Sequence, residues 1–546
     1  MTKKKTHIFT HKGIKLLQRF LTYHYHTIVI VLLAVYGILN FYCSTRLSVT
    51  GDEVKYYQYG VNILKLQPQK NIVDRVPFFN SQMPIVAINV LPRAIQQLFN
   101  PSLKHDLRQT VKDVASARFF SVISALLLAL YVLVWSTELY GKPAGIFSLL
   151  LCLLCPNIMA HSQMVGTDVY SFLLCTATCY HAWKYSKSNN IRQLLLVALL
   201  LGIGQLSKQS LLLLYPVVLI FLLTRLYSLK ILPGKIMIAL TKELFVIGII
   251  SLAVINTGFL FDNTGKSIKQ YHFLSSKFTA LQNQFSFMNG LPVPLPEPYV
   301  AGFDYVAFNT ETPPGIEGVS SYGTGYFLGK PVNGKRIWYY YSICCLYKLP
   351  VPFILLFFTA ILFYWAVPGK FVFIRNEIYL LLPAAFIFIL FTWHNTMYLG
   401  IKNILMLLPL LFIFCGSLWS TFLPGGKRNT FAVTGVLLIW QFCSLINYFP
   451  HFLPYTNEFV TNKKEAYKIF GDNNLFFQEG WIMAREYLQD HPGIQLEPLQ
   501  PVHGKVMVSL ETYFDFWHER KMQWLTNLRL EPSGHFHSQY LIFDVP

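Results

Sequence analysis

The sequence predicts an all-α polytopic membrane protein of about eleven transmembrane helices, with exoplasmic loops and a small C-terminal α/β domain. Three observations predict it. Of 546 residues, 53% are hydrophobic, 16% aromatic and only 13% charged, and the mean hydropathy is +0.41. That is more apolar than a soluble globule of ordinary composition. Apolar runs that approach the roughly 17–25 residues needed to cross the hydrocarbon core lie near 28–43, 117–136, 144–160, 169–183, 193–207, 210–227, 243–260, 350–367, 377–393, 402–420 and 431–448. The cations fall on one side of these runs: Lys3, Lys4, Lys5, Lys12, Lys15 and Arg19 precede the first. Lys184, Lys187, Arg192, Arg225, Lys230, Lys235, Lys242, Lys370, Arg375, Lys427 and Arg428 sit in or beside short loops that share that side when spans alternate. By the positive-inside rule this side is cytoplasmic.

The same placement disposes of a nucleic-acid reading of the +19 net charge, because a nucleic-acid footprint is a continuous basic patch with stacking aromatics. The first apolar run begins late and lacks a small-residue cleavage site, so it reads as a retained span, not a signal peptide. All nine cysteines lie in or beside apolar runs, and disulfide stapling is not expected. Cys152-x-x-Cys155 has zinc-like spacing but no paired second half, and core packing is the better reading.

Taken in order, residues 1–27 form a basic cytoplasmic N-terminus and 28–448 the transmembrane domain, whose large exoplasmic loops are 44–116 and 261–337. Residues 449–546 form an exoplasmic C-terminal α/β domain. The first loop carries a helical pattern from Glu53 to Leu66, and Pro84 and Pro92 break its remainder into short interfacial pieces. The middle loop, with Pro292, Pro294, Pro296, Pro298 and then Tyr322-Gly323-Thr324-Gly325-Tyr326, reads as an irregular cover over a site. Trp338-Tyr339-Tyr340-Tyr341 suits an aromatic belt. The tail shows a helical stretch near 478–489 and two strand-like stretches, Lys505-Val506-Met507-Val508-Ser509 and Tyr540-Leu541-Ile542-Phe543.

Ionisable residues at membrane depth are costly and are functional candidates by default. With the alternating topology they converge on the outer face. Asp52, Glu53 and Lys55 open the first loop, with Tyr56 beside them. Arg118 lies at the outer entry to the second run, and His161 and Asp168 in the short link after Pro156. Lys208 occupies the tight turn Leu206-Ser207-Lys208-Gln209; Lys348 precedes Pro350; Lys402 follows Gly400. Such a set suits displacement of a sugar from a lipid phosphate: a carboxylate takes the proton of the incoming hydroxyl or amine, and cations stabilise charge on the departing phosphate. Lysine binds phosphate as a point charge and arginine in bidentate fashion. Each residue also has a plainer role. Asp52 or Asp168 suits a helix N-terminus, Lys55, Arg118, Lys348 and Lys402 suit snorkelling to headgroups, and His161 suits packing. Asp52, Glu53, His161 and Asp168 are chemically able to hold a divalent ion, but their spacing is no metal motif.

These segments, in this order, resemble the multispanning C-type glycosyltransferases that use polyprenyl-phosphate sugars, in the protein O-mannosyltransferase and aminoarabinose-transferase-like branch. Gly51-Asp52-Glu53-Val54-Lys55-Tyr56 resembles the first-loop acidic motif. Pro156-Asn157-Ile158-Met159-Ala160-His161-Ser162 with Thr167-Asp168 resembles P-x-x-x-A-H-S…T-D, and Gly202 to Lys208 resembles the G-x-x-x-x-[ST]-K turn. Tyr326 to Gly329, Trp338 to Tyr341 and Lys348-Leu349-Pro350 resemble Y-L-x-G…W-Y-Y…K-x-P. Gly400-Ile401-Lys402 falls where G-x-R is usual, Tyr455-Thr456-Asn457-Glu458 resembles Y-F-N-E, and Asp472-Asn473-Asn474 resembles D-S-N. Three departures stand out. Lys402 replaces arginine and Met406 the customary proline; Phe476-Phe477-Gln478-Glu479 stands where D-W-G-Q is usual; and Ser81-Gln82-Met83-Pro84 lacks the second acidic residue before a proline, Asp74 being the nearest.

The resemblance implies the C-type glycosyltransferase fold and an enzyme of the cell envelope, in a bacterial cytoplasmic membrane. It would move a sugar from a polyprenyl phosphate to an exoplasmic protein, lipid or glycan, with inversion. Asp52 is the expected base, and Glu53 orients it or the acceptor. Lys55, Lys208 and Lys402, then Arg118 and Lys348, are the expected phosphate contacts, with His161, Asp168 and Tyr56 lining the cavity. The competing readings are a transporter or flippase, whose ionisable groups would gather nearer the bilayer midplane, and a non-catalytic scaffold on the same fold.

Overall fold

The computed structural model describes residues 19–67, 83–100, 107–229, 233–311, 324–333, 336–366, 372–394, 396, 398–422, 428–471, 473–515 and 520–546. The basic residues before Arg19, and Asp74, Tyr322-Gly323, Lys230, Lys370, Lys427 and Asp472, lie outside them. Helix α1 (Tyr25–Arg46) is followed by α2 (Gly51–Leu64), α3 (Ala87–Phe99) and the 34-residue α4 (Leu107–Tyr140). Then come α5 (Lys142–Leu153), α6 (Pro156–Ser162), α7 (Asp168–Ser188), α8 (Ile191–Gln205), α9 (Leu214–Ser228) and α10 (Pro233–Gly258).

Among the described residues, four helical stretches are long and apolar enough to cross a membrane: Tyr25–Arg46, Val111–Tyr140, Gln209–Ser228 and Gly234–Gly258. Two bent pairs, Lys142–Leu153 with Pro156–Ser162 and Tyr340–Lys348 with Val351–Tyr364, bring the number to six. Proline explains the bends, since Pro156 begins its helix and Pro350 stands immediately before the helix that starts at Val351, positions where no N–H is needed. Shorter apolar helices, among them Ile191–Gln205, Ile378–His394 and Ala432–Ile446, fall on other runs expected to span. Among the described residues, length and composition do not reach the full count of about eleven. The chain is an integral membrane protein dominated by α-helix.

The middle loop departs from its expected irregularity. It contains α11 (Ser276–Gln284) and α12 (Glu297–Glu311), and then a hairpin of β1 (Thr324–Phe327) and β2 (Lys330–Asn333). Ser275 caps α11 by accepting the Phe278 N–H, and Pro298 stands in the first turn of α12, where its missing donor costs nothing. Pro92 likewise does not end α3. That helix buries Asn89, Val90 and Arg93 and leaves Leu91, Ile95, Leu98 and Phe99 exposed. It packs so closely on α2 that a side chain on Gly60 would meet Val90 at 2.8 Å, and burial of one face offsets the lost ladder bond.

The second half runs through α13 (Tyr340–Lys348), α14 (Val351–Ala366), α15 (Ile378–His394), α16 (Leu408–Cys415), α17 (Ser417–Phe422) and α18 (Arg428–Ile446). Buried polar ties hold the ends of helices: the Tyr140 and Tyr364 hydroxyls each donate to Glu377 at 3.1 Å, and Arg225 pairs with Glu243 at 2.6 Å while lying over the Tyr185 ring.

The tail holds α19 (Ala466–Ile469), β3 (Phe470–Gly471), α20 (Trp481–Asp490), β4 (Ile494–Leu496), β5 (Gly504–Ser509), α21 (Leu510–Tyr513), α22 (Gln523–Asn527), β6 (Gly534–Phe536) and β7 (Tyr540–Val545). One sheet has the order β4-β5-β7-β6, with β4 parallel to β5 and the other pairs antiparallel. Both strands expected from the sequence are its two central members. A second sheet, β2-β1-β3, joins the middle loop to the tail through Tyr326 opposite Gly471 and Phe327 opposite Phe470.

Candidate functional site

The start of α2 is built by a capping box. Thr50 accepts the Glu53 N–H at 3.2 Å, and Glu53 accepts the Thr50 N–H at 3.0 Å. Asp52, expected either to act or to cap, is therefore not the cap. It sits in the first turn with its carboxylate about one-third exposed, 3.8 Å from the Lys55 ammonium. Burial and then the Asp52 charge both raise the Tyr305 hydroxyl of α12, so Asp52 lies near the middle loop. Tyr56 is half-buried against the core.

Glu53 and Arg118 have other work than the sequence suggested. Both are buried. Arg118 donates to Glu53 through Nε (2.8 Å) and Nη2 (2.6 Å), to the Ser44 and Leu47 carbonyls through Nη1, and to the Ser48 carbonyl through Nη2. Those five bonds use all five guanidinium donors, so none is left for a phosphate. Glu53 also accepts the Val165 N–H at 2.8 Å. The pair closes the C-terminal end of α1 and ties it to α2, α4 and the link after α6. Glu53 is thereby also removed from any metal set, and no group of three or more His, Cys, Asp or Glu among the described residues is arranged to hold a metal ion.

Lys348 is likewise buried, donating to the carbonyls of Leu453 (2.8 Å) and Asn474 (2.6 Å). It anchors the tail instead of facing a ligand. Asn474 in turn holds the Lys402 turn: its Oδ1 accepts the Ile401 N–H at 2.9 Å, and the Tyr340 hydroxyl accepts the Gly400 N–H at 3.0 Å. Gly400 is obligatory here, with φ +80° and the Asn474 nitrogen 3.1 Å from where a Cβ would stand.

The remaining candidates do come together. Asp168, at the start of α7, accepts from Lys208 Nζ at 2.7 Å and faces His161 Nδ1 at 3.3 Å. Burial alone would raise the Asp168 carboxyl; the Lys208 ammonium, the His161 hydrogen bond and the Lys402 charge outweigh it and hold the carboxyl well below the usual carboxylate range. Lys402 thus shares the electrostatic neighbourhood of Asp168 and His161. Its ammonium lies 4.6 Å from the centre of the Phe477 ring. The next residue, Gln478, accepts the Gly51 N–H at 3.3 Å and donates to Glu511. Glu479 then accepts from the Phe477 N–H, pairs with His451 at 2.8 Å and accepts from Gln539. Three consecutive tail residues therefore join the Lys402 turn, the Asp52 turn and the tail sheet. Sequence reasoning missed them, because Phe476-Phe477-Gln478-Glu479 reads as a departure from a motif; the one signal was its position directly after Asn473-Asn474.

Residues 108–254 match the model of a family described as dolichyl-phosphate-mannose-protein mannosyltransferase. The segment holds Arg118, His161, Asp168 and Lys208. That match supports the resemblance to the protein mannosyltransferases over these residues.

Among solved structures, ArnT from Cupriavidus metallidurans bound to undecaprenyl phosphate is 12% identical, with a TM-score of 0.46, covering 94% of this chain and 97% of that one. The oligosaccharyltransferase AglB from Archaeoglobus fulgidus, in complex with an inhibitory peptide and a dolichol-phosphate, is 12% identical with a TM-score of 0.43. That alignment covers 78% of this chain and 55% of the other. Among curated proteins, no relative matches the chain.

Proposed function

We propose that this protein is an integral-membrane glycosyltransferase that moves a sugar from a polyprenyl-phosphate donor to an acceptor on the exoplasmic side. The observation that carries the reading is the join made by Phe477 and Gln478: adjacent residues meet the Lys402 cation and the Asp52 turn, which supports a carboxylate and cations acting together. The family match over 108–254 supports the same class.

In the reaction, Asp52 takes the proton from the acceptor hydroxyl or amine as its oxygen or nitrogen bonds to the anomeric carbon. The bond from that carbon to the phosphate oxygen breaks, and the configuration inverts. Lys208 and Lys402 receive the negative charge on the lipid phosphate. Lys208 suits this because one of its donors goes to Asp168 and, among the described residues, no other protein acceptor takes the rest. Lys55 assists from beside Asp52. His161 and Asp168 orient the cations, while Glu53, Arg118 and Lys348 hold the framework. Residues 28–448 form the catalytic domain and 449–546 an exoplasmic domain.

Asp52→Asn tests the reading. With the cap supplied by Thr50 and Glu53, the variant should fold normally and lose roughly 100-fold or more in turnover, the range for removal of a general base. Turnover within about twofold of the wild type, measured on purified variant with polyprenyl-phosphate sugars, would remove Asp52 from the reaction. Absence of transfer by the wild type across donors would favour a scaffold.

A further inference from the structure

We propose that α20 is an interfacial anchor, seating the C-terminal domain in the phospholipid headgroup layer around α1. Helix α1 exposes an apolar stripe at helical spacing, Val31, Val35, Ile38 and Tyr42, as a lipid-facing span should. The stripe does not stop where the helix stops. Two residues beyond its end, Ser48 accepts the Ile482 N–H on Oγ at 2.7 Å and donates its own N–H to the Glu479 carbonyl at 2.8 Å, fastening the first turn of α20 to the end of the span. Phe449, just past α18, stacks parallel to Tyr42. Tyr42, Phe449, Trp481 and Ile482 are each 40–45% exposed, so the apolar face continues from two spans onto the first turn of a helix that belongs to the tail.

Two guanidinium groups edge this face. Arg46 lies over the Tyr42 ring, 5.4 Å from its centre, and donates to the Tyr42 hydroxyl at 3.2 Å. Arg485 lies over the Trp481 ring at 3.9 Å. Arg46 is also within electrostatic reach of Glu486 in the second turn of α20, as it must be if helix and span end side by side. Exposed aromatic rings with cations on their faces, at the end of a membrane span, match the headgroup layer: the rings sit among glycerol and upper acyl groups and the guanidiniums meet lipid phosphates. Continuity with the lipid-facing stripe of α1 selects lipid over a protein partner. The proposal is independent of the sugar-transfer reading.

Nitroxide labels at Ile482→Cys, Ile38→Cys and Asn527→Cys, each in a Cys443→Ser background, test it in nanodiscs of phosphatidylcholine and phosphatidylglycerol. For Ile482, the ratio of collisions with oxygen to those with a water-soluble nickel chelate should fall between the membrane value at Ile38 and the aqueous value at Asn527. A ratio equal to that at Asn527 overturns the proposal. So does a label at Ile482 shielded from both reagents, which would mean that protein covers the face. Adding Arg46→Gln and Arg485→Gln should move the Ile482 ratio towards the aqueous value while Ile38, reporting the fold, stays unchanged. An unmoved ratio refutes the phosphate contacts.

Discussion

Arg118 and Lys208 show how far a single residue's role depends on what surrounds it. Both are cations that the sequence puts beside the ends of apolar runs, and position alone gives them the same expected task. Arg118 meets a carboxylate and three carbonyls and is consumed; Lys208 meets one carboxylate and keeps donors to spare. Their variants should therefore fail differently. Glu53→Gln leaves the Arg118 charge buried without its counter-charge, and breaking a buried pair costs about 3–5 kcal/mol. Thermal unfolding in detergent should show that loss, while the folded fraction keeps the wild-type donor KM. Lys208→Met strips the Asp168 carboxylate of its nearest cation and should also lower the unfolding temperature, but unlike Glu53→Gln it should raise donor KM roughly 10- to 100-fold, as expected for a hydrogen bond to a charged group worth about 1.5–3 kcal/mol. A change confined to acceptor KM would assign Lys208 to the other substrate.

Among elements, the tail sheet carries a titratable patch. His537 faces the His451 ring at 5.6 Å, and His535, in β6, lies two residues before it, with Glu479 bound to His451 and Lys464 near His535. Burial first, and then the neighbouring histidines, push His537 down to about 4. A histidine held neutral in the fold contributes stability that is whole above its unfolded pKa near 6.5 and is lost as pH falls through the folded value. The unfolding temperature of the tail should accordingly drop between about pH 6.5 and 4, and less so in His537→Asn, whose side chain suits the positive φ of 49° at that position. An unchanged pH profile in this variant would place the acid sensitivity elsewhere.

For the whole molecule, the decisive expectation is topological. Gly51, Gln478 and Pro546 belong to the assembly that holds the proposed site, and Lys187 ends α7 away from it. Cysteine substitutions at Gly51 and Pro546 should react with a membrane-impermeant maleimide from the exoplasmic side, and Lys187→Cys only from the cytoplasmic side. Labelling of Pro546→Cys from the cytoplasm would separate the tail from the side on which transfer is proposed.

The sequence by itself determined the membrane class and the two central tail strands, because hydrophobic runs and strand alternation are local signals. The helices of the proline-rich middle loop were hidden, since proline punctuates a pattern without revealing whether it opens a helix or breaks one. Only the tertiary structure sorted the polar residues. Asn474, Lys348 and Gly400 lie far apart in the chain yet knit one joint, and Phe477 and Gln478 bring the Lys402 and Asp52 turns together. Whether a buried charge is spent on carbonyls or kept for a ligand is set by partners distant in sequence, and no local pattern records them.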